Sequence, residues 1–267
     1  MKKIFFLFFF VVFFSSSQSS NWWVFFHNKE CGQVINLTDR SIERRLKQKI
    51  EFDIYDVSVC QEYVDSLKTN DLIIRHQFKW FNAVSISIDS DDILKKISNY
   101  SFVKKIRPVY KMTKQKKTTL INNKIIHNDS FRRTLSLPYG SSFNQINMLG
   151  GVDLHNEGFL GENVIIAVFD AGFTGVETLP IFDNLWNNNQ ILDMYDFVDN
   201  DNNVFGGSVH GTMVLSTMGG YMVDSLIGTA PEASYMLFRT EDSNSETLIE
   251  EDNWAAAAEY VDRYGFG

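Results

Sequence analysis

Two polar side chains stand where the backbone could hold them for chemistry. Asp170 closes the apolar run Val164-Ile165-Ile166-Ala167-Val168-Phe169, and Ala171-Gly172 then turns the chain. His210 has Gly206 and Gly207 shortly before it and Gly211 directly after it. Glycines there let backbone segments approach closely, and the apolar residues that follow suit a buried helix. Such a start would leave the imidazole exposed beside a sheet edge. Each residue also has a plainer reading: Asp before Gly often caps a turn, and a lone histidine often sits in a loop.

Other groupings that could do chemistry are weaker. Asp199-Asn200-Asp201-Asn202-Asn203 has the carboxylate–amide spacing that opens a calcium loop, but Val204 stands where glycine is needed and His210 where glutamate is. Structural calcium therefore has no motif here, and no metal or cofactor is required. His27, His76, His127 and His155 are scattered singly, and neither a His-Glu-x-x-His zinc site nor a phosphate-binding loop occurs. Cys31 and Cys60 are the only cysteines. They could form a disulfide after export or remain a free pair, and they make a poor metal site without partner histidines.

The elements that must position Asp170 and His210 follow from patterning. A continuous β-branched run predicts a strand over Asn163–Asp170 covered on both faces, the habit of parallel sheets, where functional groups collect at the carboxyl ends of strands. A second strand is expected over Ser234–Arg239. Ser243 and Glu246 form a capping box for a long helix with Leu248, Trp254, Ala258, Val261 and Tyr264 on one face, closed by Gly265.

The first half is built differently. Residues 1–139 hold 23 basic and 13 acidic side chains, and residues 140–267 hold 2 and 20, so a net charge of −8 hides +10 beside −18. That reversal predicts two domains, and the acidic half argues against nucleic acid as a partner. With 44% apolar residues the chain is too hydrophobic to be disordered. Lys2-Lys3, the apolar run Ile4–Phe14 and Ser15-Ser16-Ser17 read as a signal peptide over residues 1–17, too short to span a bilayer as an ordinary helix. Its only membrane contact is then export, to the periplasm, cell surface or medium. Beyond it, a capped helix from Thr38 with an Arg/Lys outer face comes first. A strand-like stretch through Phe52, Ile54 and Val57 follows, then a helix from Ser58 to Leu67. Strands over Leu72–Lys79 and Ala83–Ile88, a helix over Asp91–Ile97 and a strand over Phe102–Val109 complete the order. This β-α-β-β-α-β sequence is that of a ferredoxin-like α+β unit. The basic residues from Lys104 to Lys117 read as a solvated face, followed by a linker.

Val164–Gly172 and His210-Gly211-Thr212-Met213-Val214 together resemble the aspartate and histidine motifs of the subtilisin-like serine proteases (subtilases, peptidase S8). Gly228-Thr229-Ala230-Pro231-Glu232-Ala233 is similar to the family's stretch after the histidine helix. Phe78–Ile86 and Val103–Pro108 resemble paired strands of its inhibitory prodomain. Ser41–Arg45 and Tyr139–Ile146 are similar to exported subtilases of Bacteroidetes-type bacteria. Ala171 departs from the family's usual Ser or Thr.

The resemblance implies an α/β, three-layer subtilisin-like fold with a mainly parallel sheet over residues 137–267, incomplete at its end, behind a prodomain and linker over 18–136. It implies proteolysis by a secreted serine endopeptidase acting on protein or peptide substrates, with the prodomain as intramolecular inhibitor. Asp170 would orient the imidazole and His210 would be the general base. The nucleophilic serine would lie roughly 150 residues after the histidine. Only 57 residues follow His210, so the chain as given is expected to be inactive alone. The alternative is a non-catalytic pseudo-protease or a prodomain-type inhibitor or chaperone module. An α/β hydrolase would require the order Ser, Asp, His. Maturation is expected to cut between Arg132 and Tyr139, near Leu137-Pro138-Tyr139-Gly140.

Overall fold

Val24 and Phe26 alternate with Trp23 and Phe25, and this period of two builds β1 (Ser20–Phe26). It is the first element of a computed structural model that describes residues 20–33, 37–109, 137–243 and 249–264. There follow α1 (Asp39–Gln48), α2 (Gln61–Lys68), β2 (Leu72–Phe78), β3 (Ala83–Ile88), α3 (Asp92–Ile97) and β4 (Val103–Pro108). The strands form one antiparallel sheet in the order β2-β3-β1-β4. Val24, Phe26, Val84, Ile86 and Ile88 bury one sheet face against Val64 and Leu67 of α2 and Ile97 of α3.

The expected order of elements holds, but its first strand lies elsewhere. Ile54 opens a 3₁₀ turn over Ile54–Asp56, capped by Asp53 and followed by Val57, with Phe52, Ile54 and Tyr55 exposed. Both faces of β1 are apolar because both are covered, so no polar alternation marks it in the sequence. Arg45 is not on an outer face. It is buried and donates two bonds, of 2.9 and 2.6 Å, to the Asp56 carboxylate. The residue at the start of α2 is Cys60 rather than Ser58, whose hydroxyl accepts from the Gln33 amide instead. Cys31 and Cys60 are joined by a disulfide with Cα atoms 4.9 Å apart, within the ordinary range. The signal-peptide run, the segment Lys111–Lys117, most of the linker and the proposed cleavage bonds up to Ser136 lie outside the described residues.

The acidic half contains α4 (Phe143–Met148), α5 (Gly151–Asn156), β5 (Ile165–Asp170), α6 (Asp183–Asn187) and β6 (Ile191–Asp196). These are followed by α7 (His210–Gly219), the hairpin β7 (Tyr221–Met222) and β8 (Leu226–Ile227), β9 (Ser234–Arg239) and α8 (Ile249–Asp262). β5, β9 and β6 lie parallel in that order. Along β9, Tyr235 and Leu237 pack with Leu215 of α7, while Met236 and Phe238 pack with Ala256, Ala257 and Val261 of α8. The strand is therefore enclosed on both faces. β5 is an edge strand among the described residues, yet it is covered on both faces as expected: Ile166 and Val168 pack in the cluster with α7, and Ile165, Ala167 and Phe169 in the cluster with α8.

The face of α8 also differs from expectation. Trp254 is exposed, whereas Asp252, Asn253, Ala256, Ala257, Glu259 and Val261 are buried. The reason is the neighbour: β2 of the first half lies against α8. There Arg75 meets Asp252 (3.3 Å) and Asn253 (2.9 Å), and Lys79 Nζ meets Asp262 at 2.5 Å. The amides of Lys79 and Trp80 donate to Glu259 at 2.6 and 3.0 Å. Trp23 and Phe78 add a stacked aromatic pair to the apolar cluster at this seam. The capping box beyond Ser243, Leu248 and Gly265 fall outside the described residues.

Candidate active site

Asp170 ends β5 with its carboxylate almost fully buried, and His210 opens α7 with its side chain 63% exposed. Forty residues apart in sequence, they meet through His210 Nδ1, which lies 2.9 Å from Oδ2 and 3.0 Å from Oδ1. A carboxylate accepting from Nδ1–H fixes the tautomer, so Nε2 keeps its lone pair. No hydrogen bond joins Nε2 to another described residue. The amide of Ala171 donates to Asp170 Oδ1 at 2.7 Å, so the carboxylate is held by local backbone although residue 171 has no hydroxyl.

Backbone contacts bring the two segments together. The amides of Ser208 and Gly211 donate to the carbonyls of Ala171 (3.2 Å) and Gly172 (3.1 Å), and the Phe173 amide donates to Val204 O (2.9 Å). The His210 amide donates to Ser208 Oγ at 3.1 Å, and Thr212 Oγ1 donates to Thr174 O at 2.8 Å. Gly172 has φ +142°, and a Cβ there would run into the Gly206 carbonyl. A Cβ on Gly211 would lie 2.5 Å from Gly172 O and 2.9 Å from Asp170 Cβ. Gly211→Ala should therefore part α7 from β5 at a cost of about 1–3 kcal/mol. The imidazole N–H proton resonance of the His–Asp pair reports it, and a variant that keeps both resonance and stability would contradict the close approach.

Arg239 was not singled out in the sequence, yet it braces this site. It pairs with Asp170 across the β5–β9 register, and its buried guanidinium donates through Nη1 to Asp196 Oδ2 (2.7 Å) and Asp199 Oδ2 (2.6 Å). Asp196 Oδ1 also accepts from the amides of Val198 and Asp199. The loop that had calcium-like spacing is thus pinned to a cation, and its far end carries Gly206-Gly207 into α7. A basic residue ending an otherwise apolar strand was the available signal.

The remaining histidines are apart from this pair. His155 is buried between the Tyr139 hydroxyl (2.7 Å) and Thr229 O (3.0 Å), His76 is buried against Asn253 (3.0 Å), and His27 is exposed. His127 is outside the described residues. Among the described residues no serine hydroxyl bonds the His210 ring.

Residues 20–124 match the Peptidase S8 propeptide domain family, Bacteroidota. Among solved structures this chain is similar to the epidermin leader peptide processing serine protease of Staphylococcus aureus. That likeness has 14% identity and a TM-score of 0.48, and it covers 92% of this chain and 47% of that one. A mutant of the same protease gives 13% identity, a TM-score of 0.49 and coverage of 91% and 48%. The chain thus spans about half the length of those structures. No curated protein matches it.

Proposed function

We propose that this chain holds the export signal, the inhibitory propeptide and the first part of the catalytic domain of an exported subtilisin-like serine endopeptidase. The observation that carries the reading is the Asp170–His210 bond, placed at the carboxyl end of a parallel strand in a chain that also bears an S8 propeptide. In this reading Nε2 takes the proton of a serine hydroxyl as it attacks a peptide carbonyl, and later returns it to the leaving amine. Asp170 keeps the ring in the needed tautomer and stabilises the imidazolium. The catalytic domain would adopt the three-layer α/β arrangement whose central strand is β9, and no metal or cofactor enters the reaction.

The limits of the two units, 18–136 and 137–267, fit how the chain is tied. From Pro138 onward the segment is stitched into the second unit. Tyr139 is buried, Pro138 O accepts from the Asp224 amide, and the Ser141 amide donates to Ser225 O. Those bonds favour a maturation cut upstream of Pro138. Export fits residues 1–17, and among the described residues no helix is long and apolar enough to cross a membrane.

Protein expressed from its own gene should cleave an unfolded protein substrate and react with a fluorophosphonate. Asp170→Asn should lower turnover by about 10⁴-fold with little change in substrate affinity. Hydrolysis that survives Asp170→Asn or His210→Ala would overturn the assignment. A product that neither cleaves nor labels, yet inhibits a related peptidase, would establish the non-catalytic inhibitor instead.

A further inference from the structure

The β2–β3 turn that hands its amides to Glu259 is braced from a single loop. Lys29, buried just after β1, donates Nζ to the carbonyls of Ile54 (2.6 Å), Val57 (2.7 Å) and Lys79. Lys79 carries the first of the two amides on Glu259. Asn82, at φ +48°, closes the same turn by donating Nδ2 to Phe26 O (3.2 Å) and Asn28 O (3.0 Å). One peptide segment, 79–80, is therefore fixed on one side by a lysine and on the other by a carboxylate of α8.

The loop bearing Lys29 is closed by the Cys31–Cys60 bond. Gly32 packs so tightly on Ser58 O that a Cβ has no room, and Ser58 N donates to Gln33 O at 2.9 Å. Two of the three carbonyls that hold Lys29, those of Ile54 and Val57, thus lie within six residues of Cys60, and Lys29 itself is two residues from Cys31. Cys60 is fully buried at the start of α2, and Cys31 is half-buried. The two positions differ in access, as an attacking and a resolving thiol would.

We propose that docking of the propeptide unit on α8 is gated by the redox state of Cys31 and Cys60. Closing the bond seats Lys29 among its three carbonyls and so presents the Lys79 and Trp80 amides to Glu259. Bond formation removes two protons and two electrons from the pair. The oxidant is a disulfide of the thiol–disulfide exchange class: its sulfur is attacked by the Cys31 thiolate, the mixed disulfide is resolved by Cys60, and the oxidant leaves as a dithiol. In a reducing compartment the pair stays open and the turn is unbraced; on export it closes. The device acts at the seam, independently of Asp170 and His210.

Hydrogen exchange on the full chain tests this, comparing protein oxidised with glutathione disulfide, protein reduced with dithiothreitol, and Cys31→Ser/Cys60→Ser. Opening the bond should speed exchange at least tenfold over residues 79–82 and 249–262. The sheet interiors 83–88 and 234–239 should change less than twofold. In Glu259→Gln the redox effect on 249–262 should shrink to less than threefold, since the path runs through that carboxylate. Unchanged exchange at the seam would overturn the proposal. So would equal acceleration across the whole first unit, which would mark the disulfide as a general stabiliser only.

Discussion

Replacing Arg239 by methionine should cost about 3–5 kcal/mol, because it leaves the Asp196 carboxylate buried without its cation. The effect should not stop at stability. Asp199 and Asp196 both meet the same guanidinium nitrogen, and the loop they anchor ends in the residues that place His210. A Cβ on Gly207 would touch Arg239 Nε at 2.9 Å, so the guanidinium also backs the turn before α7. Urea denaturation gives the stability, and the His–Asp N–H proton resonance shows whether the pair is still formed. Arg239→Lys should fall between parent and methionine variant, since an ammonium can reach one carboxylate but lacks the planar fork. A methionine variant within 1 kcal/mol of the parent would show that the clamp does little.

Glu259 should give the chain a pH dependence of unusual sign for a bonded carboxylate. Burial pushes its carboxyl from 4.5 up to about 7, outweighing the Trp80 and Lys79 amides and the nearby Lys79 and Lys29 charges that pull the other way. A carboxyl whose pKa rises on folding takes up a proton as the chain folds. Its contribution is full below about pH 4.5 and is lost as pH climbs through 7. The shift corresponds to roughly 3 kcal/mol. Glu259→Gln removes the titration, so between pH 4.5 and 7.5 the parent should lose roughly that much more stability than the variant. His76, lowered by burial, works in the opposite sense as pH falls below 6.5, and burial raises Asp252. Both proteins share those groups, so they largely cancel in the difference. Parallel stability curves would refute the role of Glu259. Glu259→Ala should be worse at every pH, because two buried amides lose their acceptor at about 1–3 kcal/mol each.

What the residues made legible was local. Asp170 and His210 could be found because each sits where a strand ends or a helix begins, flanked by the glycines that let those ends meet. The strands Leu72–Phe78, Ala83–Ile88 and Ser234–Arg239 carried their own apolar patterns. Features that depend on distant neighbours were not legible. β1 was not assigned, since no polar alternation marks a strand whose second face is covered by a helix more than 220 residues later. The buried face of α8 was misassigned because a strand some 177 residues upstream supplies partners for Asp252 and Asn253. Phe52, Ile54 and Val57 read as a strand-like stretch, but Asp53 caps a turn there and Asp56 is drawn to Arg45. Arg239 looked unremarkable until the loop after β6 folded back onto it.

The seam on α8 divides its charges by sign. On the helix side it presents Asp252, Asn253, Glu259 and Asp262, groups that water solvates well. Across from them the first unit contributes Trp23 and Phe78 as well as its cations. When the units part, each side bares apolar surface rimmed by charge that has lost its partner: Trp23 and Phe78 beside Arg75 and Lys79, and Ala256, Val261 and Phe197 beside Asp252, Glu259 and Asp262. Both separated pieces are therefore left with an apolar patch, and the opposite charges around the two patches favour their rejoining over association of like with like.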